Sequence, residues 1–499
     1  MNNSAPISHL TVEENLPLRD ILRALDRTGL RIVFIADATG RLVGAISDGD
    51  IRRGLIAGHE LDEAASAVMN RNFVALPDSL PEDEARNHVS DRISVIPMVD
   101  TNGRPTRFLF QKDPGYIPAA DPLLGGNELA YVVDCVKSGW ISSQGSYVSA
   151  FEDAFARYIG IEVGRAVTVS NGTVALQLAL TTLGVGPGDE VIVPDLTFAA
   201  TLNAVLHAGA TPVIVDVHPK DLTIDPDAVR AAINPRTRAI MPVHLYGQMC
   251  DMKALGEIAQ EHGLLLIEDA AEALGSQLCS SHAGTIGDAG TYSFFANKLI
   301  TTGEGGMVVF SDPEMARRAR MLRDHGMDPN KRYWHIEPGF NFRLTNMQAA
   351  IGLAQLERID DLLGAKLRIA QGYRERLADM SDLLLLPKPV PNSIHSYWNF
   401  VLLFGHDFAD DVAERMIAFM RARSIDVRGL FFPMHKMPPY AGLPRIGECP
   451  NSVIASQRGV ALPASPKLTE AQIQDICSTF RHGIDMIDVE RLAAKGAHA

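Results

Sequence analysis

Seven short apolar runs in the second part of the chain alternate with helical patterns: Ala166–Val169, Glu190–Val193, Thr211–Asp216, Ala239–Val243, Leu264–Glu268, Gly290–Phe294 and Gly306–Phe310. That alternation leaves few folds open. Parallel strands need long crossovers, and helices supply them while covering both faces of the sheet. The spacing predicts an α/β architecture over about residues 122–489, built on a largely parallel sheet of these seven strands. In open sheets of this kind ligands gather at the carboxyl ends of the strands, so the residues just after each apolar run are where chemistry is expected.

Four of those ends carry suitable groups. After Ala166–Val169 comes Ser170-Asn171-Gly172-Thr173, which opens the helical VALQLALTTLG. Such a turn offers free N–H groups and a positive dipole end to a phosphate, and it serves equally well as an ordinary N-cap. Phe198, in PDLTFAAT, sits at a strand mouth, where an aromatic ring can stack on a flat heteroaromatic ligand or simply pack. Glu268 and Asp269 end a buried run, and Glu272 follows. Buried carboxylates are expensive without partners; a pyridinium N–H is one such partner, and a neighbouring Lys or Arg is the alternative. Lys298 follows Gly290–Phe294 and precedes a Gly-rich return, LITTGEGG. Held in a cleft beside other cationic groups, a lysine loses its proton and attacks an aldehyde, whereas most lysines are solvated surface charges. Each group has a plain structural reading by itself. Taken in this order on successive strand ends, they describe a pyridoxal phosphate site.

Residues 122–489 resemble the DegT/DnrJ/EryC1 sugar aminotransferases. The matching segments are GWISSQGSYVSAFEDAFARYIG (139–160), SNGTVALQLAL, PDLTFAAT, EDAAEALGS, SFFANKLITTGEGG and GFNFRLTNMQAAIGLAQLE (339–357). The resemblance implies the fold type I aminotransferase architecture, with a large domain (116–375) and a small C-terminal α/β domain (376–499). It also implies roles. Lys298 would carry the covalent link to the cofactor and move the proton, Asp269 would pair with the pyridine nitrogen, and Phe198 would stack on the ring. Gly172, Thr173 and Ser293 would hold the phosphate, and Glu272 would lie near the ring hydroxyl. Asn341 would reach the cofactor phosphate of a neighbouring subunit, which makes a homodimer with shared active sites. Related 3-dehydratases have His at the lysine position, so Lys298 favours transamination, with glutamate as the amino donor. The segments around Arg323–Met327, Lys331–His335 and Phe432–Tyr440 are similar to those of the family's GDP-perosamine synthases, implying GDP-4-keto-6-deoxymannose as substrate. Lys331, Arg332, Tyr333, Arg428 and His435 are the candidate contacts to it. A UDP- or dTDP-linked ketosugar is the alternative.

The first 115 residues read differently. IVFIADATGR (32–41) and VIPMVDTNGR (95–104) repeat an apolar strand and a D-x-x-G-R turn, each after a helical pattern, at Leu18–Leu25 and Pro81–Val89. Two such units suggest a pseudo-twofold module whose halves bury each other. The segment KDPGYIPAADP then reads as a linker. The arrangement resembles a pair of CBS motifs. Ser47 and Asp50, in GAISDGDIRR, match the family's nucleotide-binding ending, which implies a regulatory nucleotide; alternatively they cap the helix that follows. The second copy, ending RFLFQKD (107–113), lacks that element. A nucleotide-sensing protein with a non-catalytic aminotransferase scaffold would be expected to lose Lys298 or Asp269, and both are present.

Length and charge set the remaining bounds. At about 150 residues per domain, 499 residues allow roughly three domains. Sixty Asp and Glu against 46 Lys and Arg leave a net charge of −14, a poor match to nucleic acid or an anionic membrane. An anionic ligand then needs a local cluster of cations and amides. Five scattered cysteines form no C-x-x-C pair, so neither a metal site nor a disulfide framework is expected. MNNSAPISHLTVEENLP lacks the pattern of a signal peptide, and a cytoplasmic protein is expected.

Overall fold

The computed structural model describes residues 10–28, 30–81, 84–85, 87–90, 93–110, 115–386 and 390–496. The chain divides into two compact units, Met1–Ile117 and Pro118–Ala499, the division falling inside the Pro- and Gly-rich segment.

In the first unit the repeat is a repeat of topology. Thr11–Glu13 runs parallel to Ile32–Ala36, which is antiparallel to Leu42–Ser47. Leu76–Pro77, Val95–Val99 and Pro105–Phe110 do the same. Even the irregularity recurs: the register shifts between Ile35 and Ala36 in one half and between Met98 and Val99 in the other. The D-x-x-G-R turns are built alike. Asp37 accepts from the amides of Thr39 and Arg41 at 2.8 and 3.1 Å, and Asp100 from those of Asn102 and Arg104, each at 2.8 Å. These are Asx turns, the local use of a short carboxylate that favours loops over helices. The halves share one core, in which Phe34 stacks on Phe108 with ring centroids 5.3 Å apart among Leu42, Ala45, Val95 and Phe110. The first expected helix is present as Leu18–Thr28. The second, expected over 81–89, falls partly outside the described residues, with Glu84 and Ala85 helical; Gln111–Asp113 also lie outside them.

Ser47 and Asp50 form a capping box at the start of Asp48–Ile56. The Ser47 hydroxyl donates to Asp50 Oδ2 at 2.6 Å, the Ser47 amide donates to the same oxygen at 2.8 Å, and Arg53 Nη2 reaches Oδ1 at 2.6 Å. Burial pushes the Asp50 carboxyl up, but the bonds from Ser47 and Arg53 outweigh it and hold it below its ordinary 3.8. Asp50→Ala is therefore expected to destabilise this unit by about 1 kcal/mol, the usual worth of such a cap. The sign follows from a depressed folded pKa: the contribution is complete above the ordinary carboxylate range and disappears as pH falls through the lower folded value. Thermal melts of wild type and variant at pH 7 and pH 3 check this, the difference shrinking at the acid end.

The second unit is built on a seven-stranded sheet. From edge to edge its strands are Ala166–Val169, Gly306–Phe310, Ala289–Ser293, Leu265–Asp269, Thr237–Ile240, Glu190–Pro194 and Thr211–Val215. Gly306–Phe310 is antiparallel to both neighbours and the other pairings are parallel. Alternate residues serve opposite faces: Ile192, Leu266, Met307 and Val309 join a core with Phe151, Phe155, Leu255 and Ile258. Val191, Val193, Ile267 and Val308 join another with Leu176, Leu180, Leu202 and Val205. Burial on both faces explains why the strands read as unbroken apolar runs. The strand expected over Ala239–Val243 lies instead at Thr237–Ile240. Pro242 has no amide to give the ladder, which resumes where Asp269 N–H meets the Pro242 carbonyl at 2.9 Å.

A smaller antiparallel sheet, in the order Leu384–Leu385, Phe400–Phe404, Gly459–Leu462, Arg428–Gly429, packs with helices Val412–Arg421 and Glu470–Gly496. Among the described residues, no helix is long and apolar enough to cross a membrane.

Candidate active site

The carboxyl ends of the large sheet open into a cavity of about 860 Å³. Asn171, Gly172, Thr173, Phe198, Asp269, Glu272, Ser293 and Lys298 all line it, together with Arg428. Residues separated by more than a hundred positions meet here because four strands end on the same edge.

The helix Gly172–Thr182 begins at the cavity wall. Its N-cap Asn171 accepts from the Val174 amide at 3.0 Å. Gly172 is required by its neighbour, since a Cβ added there would lie 2.8 Å from the Ser293 Cβ. That close approach narrows a helix N-terminus and a hydroxyl into one polar corner, the form a phosphate cradle takes. Gly172→Ala is expected to cost about 1–3 kcal/mol through overpacking against Ser293. It should also weaken cofactor retention, to be read by spectral titration of the apoprotein.

Asp269 is buried at the end of its strand. Thr201 Oγ donates to its Oδ2 at 2.9 Å, and the Ala271 amide donates to Oδ1 at 3.2 Å. Thr201 is itself bonded to Thr197, four residues earlier, at 2.8 Å. Burial pushes the Asp269 carboxyl up, opposed by Thr201 and by the positive charges of Lys298 and His244. No cation pairs directly with it among the described residues, so the ion-pair alternative does not hold for this carboxylate. A protonated ring nitrogen is the partner this site lacks. Glu268 points elsewhere: it meets His244 Nε2 at 2.8 Å and accepts the amides of Gly284, Ile286 and Gly287.

Lys298 Nζ lies 3.5 Å from Glu272 Oε1 and 3.9 Å from the centroid of the Trp398 ring. Sequence reasoning expected cationic neighbours; the structure gives it carboxylates. Burial pulls its pKa down, while Glu272 and Asp269 pull it back up. The low-dielectric setting, not charge repulsion, is what favours the neutral amine. Glu272 accepts the Tyr246 amide at 2.9 Å, and burial pushes its carboxyl up against the pull of Lys298.

Phe198 is 58% exposed and presents its ring to the cavity, 5.9 Å from the Phe431 ring. The residues therefore fit pyridoxal phosphate: an anion corner, an exposed aromatic face, a buried carboxylate without a cation and a desolvated amine surround one space.

Of the remaining candidates only Arg428 shares this cavity. Arg428 lines the cavity, with its guanidinium held 3.2 Å from Asp426 Oδ2. His435 does not line it; its Nδ1 pairs with Asp195 Oδ2 at 2.7 Å and its amide with Oδ1 at 2.9 Å. Lys331 lies over the Trp334 ring and Arg332 over Tyr333, in an exposed loop outside the cavity lining. Asn341 is exposed and also outside the lining.

Sequence reasoning missed Thr201, Tyr246, Trp398, Asn399 and Phe431. Thr201 could have been found from its place in PDLTFAAT, in the first turn of the helix that follows the strand end. Tyr246 adopts φ +56° in a left-handed turn and stacks between Trp398 and Phe431, which nothing local signals. Trp398 belongs to the aromatic-rich HSYWNF, far along the chain from Lys298.

Residues 122–481 match the DegT/DnrJ/EryC1/StrS aminotransferase family, and residues 5–57 match the CBS domain. A GDP-perosamine synthase of Caulobacter vibrioides is 46% identical over 364 residues, covering 73% of this chain and 97% of that protein. One from Vibrio cholerae is 41% identical over 371 residues, covering 74% and 100%. Among solved structures, the aminotransferase TlmJ of Streptoalloteichus hindustanus superposes with TM-score 0.70 at 33% identity, over 74% of this chain and 99% of that one. The PLP form of Spr1654 from Streptococcus pneumoniae gives TM-score 0.70 at 27% identity, over 74% and 99%.

Proposed function

The chain belongs to the DegT/DnrJ/EryC1/StrS aminotransferase family, a PLP-dependent enzyme, and we propose that it moves the amino group of glutamate to C4 of GDP-4-keto-6-deoxymannose, giving GDP-perosamine. The observation that carries the chemistry is the pairing of a desolvated Lys298 with a buried Asp269 that lacks a cation, on one cavity. The choice of sugar rests on the two GDP-perosamine synthases, each matched over nearly its whole length.

Bound pyridoxal phosphate supplies an aldehyde for the amine and a ring that withdraws electrons from the reacting carbon. The chain's own groups do the rest. Gly172, Thr173 and Ser293 would hold the phosphate, and Phe198 would stack on the ring. Asp269, oriented by Thr201, would keep the ring nitrogen protonated. Lys298 Nζ takes the proton from the glutamate α-carbon and returns one to the sugar carbon that gains nitrogen. Glu272, anchored on the Tyr246 amide, holds Lys298 close by and stabilises its charged form between the two transfers. Arg428 supplies positive charge at the cavity for the diphosphate.

The functional unit in this reading is a cytoplasmic homodimer. Leu129, Val133, Val136, Trp140 and Ile141 are exposed along and just beyond the helix Glu128–Ser138, an apolar surface suited to a second copy. Exposed Asn341 would then reach the partner's phosphate site. The first unit is a regulatory module, although its Ser47 and Asp50 are already committed to the capping box, which leaves Asp50 limited capacity for a ribose.

Incubation of the protein and glutamate with GDP-, UDP- and dTDP-linked 4-ketosugars, read by mass spectrometry, tests the assignment. The expected result is amination of the GDP sugar. Amination of only a UDP or dTDP sugar overturns the substrate, and amination of none overturns the activity.

A further inference from the structure

Lys366 is a buried lysine that the reaction does not use. It lies in the helix Ile359–Arg376, is 3% exposed, and donates from Nζ to the backbone carbonyl of Trp398 at 2.9 Å. No carboxylate pairs with it among the described residues. A buried amine with a single carbonyl partner is costly to keep. Leu or Met would fill the same helix position without that cost, so the hydrogen bond itself needs an explanation.

Its partner supplies one. Trp398 is the residue whose ring lies 3.9 Å from Lys298 Nζ. The indole N–H donates to the Asn297 carbonyl at 2.8 Å, next to Lys298 in the chain. The ring stacks on Tyr246 at 6.1 Å with planes 6° apart. On the other side its segment presses on Gly247, where an added Cβ would sit 2.9 Å from the Tyr397 nitrogen and 3.1 Å from that of Trp398. Gly247 has φ +99° and no side chain, so the approach is possible only there. Ser276 Oγ, which donates to Ser396 Oγ at 2.8 Å, fastens the segment one step earlier. Lys366 adds a hydrogen bond to the backbone carbonyl of the same residue, which the indole bond and the ring stacking do not touch. A narrow cleft links the two lysines, lined by both together with Asn297, Leu299 and Gln355.

We propose that Lys366 is a positioning residue for Lys298: by holding the Trp398 carbonyl it keeps the indole over Nζ, so that Lys298 stays shielded from water. The inference rests on the assignment of Lys298 as the reacting amine but not on the identity of the sugar. Burial also pulls Lys366 down to about 7, so the amine is largely neutral in mildly alkaline solution and still donates to the carbonyl. The other charged groups near the cleft are Asp121, which is paired with Lys467 at 2.7 Å, and Lys298 itself. Glu128 touches the cleft only through Gln355.

The test uses the full chain without cofactor. Lysines are labelled with an amine-reactive reagent across pH 6 to 11, and the Lys298 peptide is quantified by mass spectrometry. In Lys366→Met the midpoint for Lys298 labelling is expected to move to higher pH by about one unit, as water reaches Nζ and relieves its desolvation. Trp398→Leu should shift it likewise, and the double variant no further, because both act through one ring. Lys366→Gln, which keeps a neutral donor, should recover part of the shift and serves if the Met variant does not fold. In the loaded enzyme kcat should fall with little change in KM for the sugar. A Lys298 midpoint unchanged in folded Lys366 variants, or shifts that add in the double variant, overturns the proposal. A Lys298 peptide that never reacts preferentially in wild type overturns instead the assignment beneath it.

Discussion

Lys298→Ala is expected to lower transamination about 10³-fold or more, the loss typical of a positioned proton-transfer group and equivalent to about 4 kcal/mol of barrier. The structure offers no substitute at the same place. The next buried lysine, Lys366, bonds to the Trp398 carbonyl behind the cavity wall. Glu272 lies close enough to take a proton, but burial pushes its carboxyl up, and it is held by the Tyr246 amide. The fold should survive, since removing the side chain leaves Glu272 and Trp398 with their other contacts. Single-turnover assays with glutamate alone and with the ketosugar alone measure both halves. A small primary amine added to the variant should restore part of the rate, because the space vacated opens on the cavity. A variant with near wild-type turnover would remove Lys298 from the chemistry.

Asp269→Asn carries the second large effect. The substitution keeps the shape and the bond to Thr201 but removes the charge. Loss of about 10²-fold in kcat is expected, in the range seen when one preorganised electrostatic partner is lost. The sugar KM should change little, since Asp269 is bonded to Thr201 and the Ala271 amide, whereas Arg428, the charge offered to the diphosphate, is held by Asp426. The charge matters because of burial. A carboxylate with only a hydroxyl and an amide for partners is driven towards its neutral form, and a protonated ring nitrogen is what returns it to the anion. The bound cofactor's absorbance should then titrate at lower pH in the variant. Equal kcat in wild type and Asp269→Asn would contradict this role.

Much of this arrangement is legible in the sequence, and the reasons are physical. Strands buried on both faces must be apolar throughout, so the seven runs stand out and their boundaries fall within three residues of those observed, the largest difference being at the end of Thr237–Ile240, next to Pro242. Groups at strand ends are fixed by the strands themselves, which is why Gly172, Phe198, Asp269, Ser293 and Lys298 all meet on one cavity. The repeat in the first unit is visible for a similar reason, since Asp37 and Asp100 each need the same short carboxylate to close the same turn. What was not legible depends on tertiary closure. Trp398 reaches Lys298 only because Gly247 lets a distant segment approach, and Tyr246 takes its place through a left-handed turn that its own sequence does not announce. The carboxylate neighbours of Lys298 are illegible for the same reason, because burial and the charges around that amine are set by the whole fold and not by its own segment.

The proposed chemistry depends on Lys298 as the residue that binds the cofactor covalently. Loading the protein with pyridoxal phosphate, reducing it with borohydride and mapping the modified peptide tests it most directly. The cofactor mass is expected on Lys298 and absent from it after incubation with glutamate before reduction. Modification of another lysine, or of none, would contradict the account.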